Sequence, residues 1–292
     1  MSRRREVQRR LATLGEIRGI MVAMKNLALM ETRTLRGFLG AQERAVASIE
    51  SAAADFLAFY GQALRAPQEL RQRYVLLGSE QGFCGDFNES LVQALGQPPF
   101  REMEAADLVV VGRRLAAKLE GDPRVAAFLE GASVAEEVQP ALMRLSTRLQ
   151  ELQAARGADS AFALSALYHC EATGGIRLRR LLPLPDLPPP SGKFSHAPDL
   201  NLAPFDFFSQ LDEQYLYAVL HQVFYSSLMA ENRQRLQHMD QAIHRLEEDS
   251  GGLKLKYNAL RQEEIIEEIE VILLSAELLA AGEGVKPSSS FQ

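Results

Sequence analysis

The stretch Tyr74–Leu91, YVLLGSEQGFCGDFNESL, decides how this chain is read. An apolar run, Tyr74 to Leu77, is followed by a glycine-rich turn and then by a helix-like pattern. Strand, glycine turn and helix in that order open many nucleotide-binding sites, so the turn is either a phosphate cradle or a backbone device. Its chemistry speaks against the cradle. The Gly-Lys-Ser/Thr ending of a phosphate-binding loop is missing. Gly78, Gly82 and Gly85 are spaced by four and three, whereas a dinucleotide fingerprint needs two and three. The loop carries no lysine or arginine, and Glu80 and Asp86 would repel phosphate. The alternative is a tight strand-to-helix turn with Asp86 or Asn88 capping the helix.

Working outward, residues 70–190 continue in the same style. Apolar runs recur at Leu108–Val111, Ala161–His169 and Ile176–Leu182, and helical patterns at Leu115–Glu120 and Glu136–Ala155. Strands alternating with helices predict a Rossmann-like α/β domain with parallel crossovers. Only Gly174-Gly175 separates the last two runs, which predicts an antiparallel hairpin. In IRLRR, Ile176 and Leu178 alternate with Arg177 and Arg179, the pattern of a half-exposed strand near a sheet edge.

Both flanks are helical. Residues 1–66 contain no proline, and heptads read from Val7 give Val7, Leu14, Met21, Ala28 and Leu35 at one seam position. Arg10, Ile17, Met24, Glu31 and Phe38 fall at the other, and Leu11, Ile20 and Leu27 widen the stripe. One helix of a bundle and one strand of a coiled coil both fit this pattern. After the breaker cluster PLPDLPPPSGK (Pro183–Lys193), residues 205–282 again run without proline. A helix of that length spans ~115 Å, which is the signature of a shaft. Its seam is Met239, Ile243, Leu246, Leu253, Tyr257 and Leu260. Gly251-Gly252 is either a break or a tolerated soft spot. The expected architecture is α/β plus α: long terminal helices forming an antiparallel coiled coil, with the α/β domain between them. The polar tail 283–292 is expected to fray.

The end of the last helix is the oddest feature. Clustered glutamates at 263–270 give way to Val271, Ile272, Leu273, Leu274, Leu278 and Leu279, apolar almost all round. Such a surface needs cover on every side, from a socket in another protein or from the chain folding back on itself.

Composition narrows the function. The formal charge is −6, which does not suggest a nucleic-acid binder. Cys84 and Cys170 show no pairing pattern and fit a reducing compartment as buried small residues. No apolar run reaches the roughly 18 residues of a membrane span, and Arg3-Arg4-Arg5 leads into no signal sequence, so a soluble intracellular chain is expected. Five histidines show no metal spacing, and no nucleophile constellation stands out. Arg233, Arg235 and the N-terminal arginines read either as solvated helix residues or as contacts to acidic partner loops.

These residues bear a resemblance along essentially the whole chain. GFCGDFNESL (Gly82–Leu91), DLVVVGRR, LLPLP (Leu181–Pro185) and the segment MAENRQRLQHMDQAIHRLEEDSGGLKLKYNALRQEEIIEEIEVILLSAELL resemble the gamma subunit of F-type ATP synthases. The most specific element is Tyr257-Asn258 followed by Arg261-Gln262, five residues after Gly251-Gly252. LGEIRGIM (Leu14–Met21) keeps Ile17 and Met21 of the family's start but not its polar positions. Ile266 and Val271 stand where a threonine and an acidic residue are usual, while Glu268 and Ala276 remain, and Asp86 replaces a glycine. The pattern is similar to a divergent bacterial branch, such as an alternate ion-translocating ATPase.

The resemblance implies a non-catalytic rotor shaft without cofactor. Its partners would be the alpha and beta hexamer, the epsilon subunit and the c-subunit ring, and it would lie peripherally at the cytoplasmic face of the bacterial inner membrane. It further implies that Met21, Arg235, Arg261, Gln262 and Glu268 contact beta, and that the apolar tip turns in a bearing. From the residues alone, an α/β nucleotide-binding enzyme and a coiled-coil scaffold remain the competing readings.

Overall fold

A computed structural model of the chain describes residues 3–61, 70–98, 106–155, 162–184, 196–197 and 199–282, with side chains through 276. The polar tail, most of the breaker cluster and the side chains of Leu278 and Leu279 lie outside the described residues. Two helices flank a mixed domain: α1 (Arg3–Tyr60) and α5 (Pro204–Gly282). Between them run β1 (Arg71–Leu77), α2 (Phe87–Leu95), β2 (Asp107–Val111), α3 (Arg113–Ala116), β3 (Val125–Leu129), α4 (Val138–Ala154), β4 (Phe162–Cys170) and β5 (Gly175–Leu182).

The five strands lie in the order β3-β2-β1-β4-β5. Every neighbouring pair is parallel except β4–β5, which is the antiparallel hairpin expected at Gly174-Gly175. β5 is an edge strand, as its alternation predicts. Its arginine face is nonetheless occupied, because Arg179 bonds Gln222 of α5 at 2.7 Å and Glu50 of α1 at 3.1 Å. Two sequence expectations change here. The segment 115–120 holds only the last residues of a one-turn helix that ends at Ala116. Val125–Leu129 is a strand that the sequence reading did not anticipate, since VAAFL shows neither alternation nor a β-branched run.

The alternation of side chains across the sheet builds two cores. Val75, Leu77, Val109, Val111, Leu164 and Ala166 face α4 and parts of both terminal helices, including Leu35, Val46, Tyr215, Val219 and Val223. On the opposite face Leu76, Leu108, Val110 and Leu167 meet Phe87 and Leu91 of α2 and Leu115 of α3. Each fully buried leucine contributes about 1.5–3 kcal/mol relative to exposure.

The chain divides into two compact units, residues 25–238 and residues 1–24 with 239–292. The terminal helices therefore belong partly to the α/β layers. Phe56 packs on Phe207 at 4.9 Å between ring centroids, and Gln42 donates to the Ala218 carbonyl at 2.9 Å. In the smaller unit, Arg4 pairs with Glu264 at 2.9 Å and Arg18 with Glu247 at 2.7 Å, so the two helices run antiparallel there. Val7, Met21, Met239 and Ile243 are its buried residues, and Leu246, Leu253, Tyr257 and Leu260 are half-buried, in line with the expected seam. The second seam position on α1 holds only in part: Met24 and Glu31 are half-buried, whereas Arg10, Ile17 and Phe38 are exposed, as are Ile20 and Leu27. One neighbouring helix covers one line of α1, and of the residues that widen the stripe Leu11 is half-buried while Ile20 and Leu27 fall outside it. Gly251 and Gly252 sit inside a continuous helix, which resolves the question of a break.

Gly112 joins β2 to α3 at φ +104°, and a Cβ there would lie 2.6 Å from the Gly78 carbonyl oxygen. Gly112→Ala is expected to destabilise the protein by about 2–4 kcal/mol, from combined strain and clash, measured as a lowered urea midpoint.

Candidate functional site

Two places deserve the name of site: the crevice at the carboxyl ends of the strands and the outer reach of α5. In open α/β sheets ligands bind where the strand order reverses, outside the carboxyl ends. Here the reversal is at β1, from which the Gly78 loop emerges. Asn88 organises that loop: its Oδ1 accepts the Ser79 N–H at 2.9 Å and its amide donates to the Ser79 hydroxyl at 2.8 Å. Asp86 holds the N-cap position of α2 but makes no side-chain capping bond, so the capping expectation fails for both residues. Gly78 is required by packing, since a Cβ would lie 2.2 Å from that of Leu115. Gly85 and the non-glycine Phe83 both take positive φ, +61° and +62°.

The crevice itself is filled from within. The Glu80 carboxylate accepts the backbone N–H of Gly131 at 2.8 Å and that of Arg113 at 3.1 Å, and it pairs with the Arg113 guanidinium. These donors are what a bound phosphate would use, and the chain's own carboxylate takes them. Burial works against the Glu80 charge, but the Arg113 side chain and the two N–H groups outweigh it and hold its carboxyl below the ordinary value. Beneath the loop remains a cavity of about 20 Å³, lined by Gly78, Gly131, Ser227 and Glu231 among others. That is room for a single water.

From the other side α5 closes the crevice. Glu231, Asn232 and Arg235 are 2%, 1% and 6% exposed. Arg235 donates to Asn232 Oδ1 at 2.7 Å and to the Gly82 carbonyl at 3.3 Å, and it pairs with Glu231. Arg233 pairs with Glu171 in the β4–β5 turn at 2.5 Å. Both arginines therefore tie α5 to the sheet, and Arg235, which the resemblance places against beta, is buried within these contacts. Met21 is likewise buried, at 8% exposure.

The outer reach of α5 is different. Arg261, Gln262 and Glu268 are exposed side chains. Beyond them Val271, Ile272, Leu273 and Leu274 are 66%, 64%, 59% and 59% exposed. No described residue covers these four. Arg261, Gln262, Glu268 and the tip thus share one accessible stretch of α5, whereas Met21 and Arg235 are buried. The Glu80 and Glu231 roles were missed in the sequence; the only signal was an acidic residue inside a glycine turn.

Comparison with known proteins agrees with this geometry. A family model described as ATP synthase matches residues 3–279. The ATP synthase gamma chain of Clostridium botulinum (strain Langeland) is 21% identical over 276 residues, covering 93% of this chain and 96% of that one. That of Clostridium perfringens (strain SM101) is 24% identical over 284 residues, with the same shares. Among solved structures, a chain of the Euglena gracilis mitochondrial ATP synthase superposes with a TM-score of 0.59 at 14% identity, covering 99% of this chain and 98% of that one. A chain of the Tetrahymena thermophila central stalk and c-ring gives 0.52 at 13% identity, covering 76% and 99%. The family match and the curated gamma chains make this a non-catalytic stalk-type subunit. The chain belongs to the ATP synthase family, among the gamma subunits. Among the described residues no helix is long and apolar enough to cross a membrane.

Glu231 supplies a pH test. Burial pushes its carboxyl up to about 7, against the pull of Arg235. A raised carboxyl stabilises the fold fully below its unfolded value near 4.5, and this is lost as pH rises to about 7. Urea midpoints are expected to fall between pH 5 and 7.5, and Glu231→Gln is expected to flatten that slope.

Proposed function

We propose that this chain is the central rotor shaft of a rotary ATP synthase. It transmits rotation between an ion-driven c-subunit ring and the nucleotide sites of an alpha and beta hexamer, with epsilon beside the α/β domain. The observation that carries the reading is the outer reach of α5, where exposed polar anchors lead into an exposed apolar end on a helix with one partner. About 25 cal/mol per Å² of exposed apolar surface favours cover by another protein. A bearing formed by the hexamer satisfies that need. The terminal helices would act as an antiparallel coiled coil, and the assembly would place the chain peripherally at the cytoplasmic face of the membrane.

Such a shaft does no chemistry. An asymmetric rod meeting three beta subunits imposes different contact energies on each, and rotation passes those differences round the ring. Coupling is then differential binding between conformations. Arg261, Gln262 and Glu268 are the residues assigned to beta, each contact worth about 1.5–3 kcal/mol when dry. Arg235 and Met21 would act indirectly, by holding α5 and α1 in place. The competing reading, a nucleotide-binding α/β enzyme, is disfavoured by Glu80, whose carboxylate occupies the phosphate position.

In the assembled complex, Arg261→Ala with Gln262→Ala is expected to reduce coupled ATP synthesis to less than half, with the yield of complex little changed. Normal coupling in that variant would remove these residues from the contact, and failure to co-purify with alpha and beta chains at one copy would overturn the rotor assignment.

A further inference from the structure

The smaller unit contains four glycines at one level. Gly15 and Gly19 lie on α1, and Gly251 and Gly252 on α5. The level is shared because Arg18 pairs with Glu247 across the two helices, at 2.7 Å. It is shared also because one groove of about 400 Å³ is lined by Leu11, Gly15 and Arg18 from α1 and by Glu247, Ser250 and Gly251 from α5.

Glycine inside a helix needs a reason, since each weakens the helix about fivefold relative to alanine. The usual reasons do not apply. None of the four takes a positive φ, and a Cβ built on any of them meets nothing within 4 Å. The backbone does not demand glycine, and no neighbouring atom approaches closely enough to exclude a methyl group. Packing does not compensate for the loss either. α1 has no buried residue from 8 to 20, and α5 has none from 244 to 276. Both helices are thus intrinsically weak at the same level, and no buried residue of either offsets it there.

We infer that Gly15, Gly19, Gly251 and Gly252 form a compliant joint in the two-helix rod, where both helices open and bend together. Local opening depends on helix propensity and on buried contacts, and both are low here. The Arg18–Glu247 pair that crosses between the helices at this level is half-exposed and therefore weak. The joint is a property of this chain by itself and stands apart from the identity of any partner.

Hydrogen exchange on the full chain tests it. Amides of 11–22 and 247–256 are expected to exchange at least tenfold faster than those of 25–45 on α1. Gly15→Ala, Gly19→Ala, Gly251→Ala and Gly252→Ala combined are expected to slow both segments about tenfold or more and to raise the melting temperature. The α1 pair alone, Gly15→Ala with Gly19→Ala, is expected to slow 247–256 at least twofold, because the two helices open together. Equal rates in the unaltered protein overturn the joint. So does a lowered melting temperature in the fourfold variant, and so does protection confined to the substituted helix. Assembly and coupled synthesis, measured on the same variants, bear on the rotor assignment separately from the joint.

Discussion

The Glu80 carboxylate is the point on which the carboxyl edge of the sheet depends. Three donors converge on it from β3's exit loop and from the start of α3. An unpaired buried carboxylate would cost several kcal/mol, and so would the donors left without it. Each therefore fixes the other. With the carboxylate in place the Gly78 loop is tied to the loops after β2 and β3, and α5 can close over it through Arg235 and the Gly82 carbonyl. A fold whose open crevice ordinarily receives a ligand has become a solid body. For a part that must pass force rather than bind substrate, that is the useful state.

The second constraint is the sharing of helices. α1 and α5 each supply one stretch to the α/β core and another to the smaller unit. No flexible linker of loop residues is needed between the two, since the same helical backbone continues through both. The stretch of α5 that leaves the larger unit is held by Arg233 on the β4–β5 turn and by Arg235 on the Gly78 loop. Two loops thus fix this stretch of the helix. The exposed outer end of the same helix, with Ile272, Leu273 and Leu274, completes the contrast: anchored in one part, bare in another.

Much of this was legible in the sequence where one local rule decided the outcome. The β4–β5 hairpin follows from its glycine pair, and β1 and β2 from dense apolar runs bounded by turn residues. The α5 seam follows from spacing that the structure keeps from Met239 to Leu260. β3 was illegible because VAAFL gains its strand identity from pairing with β2, a tertiary effect that overrides weak local preference. The exposure of Ile20 and Leu27 was illegible for a related reason: periodicity shows that a helix has an apolar side, while the number of neighbours decides how much of it is covered. At the site, Arg261, Gln262 and Glu268 came from resemblance. The burial of Arg235 depends on where the Gly78 loop lies, 153 residues away in sequence.

That one core face of the larger unit is closed by stretches from both ends of the chain bears on how it is made. The layer against Val75, Val109 and Leu164 is completed by Leu35 and Val46 from the beginning and by Tyr215, Val219 and Val223 from near the end. During synthesis the strands emerge long before α5 does, and until then one apolar sheet face is uncovered. Contacts of this sequence separation also slow folding, because loop closure precedes any gain from burial. That face is therefore completed only after roughly residue 230 has left the ribosome, in a late step.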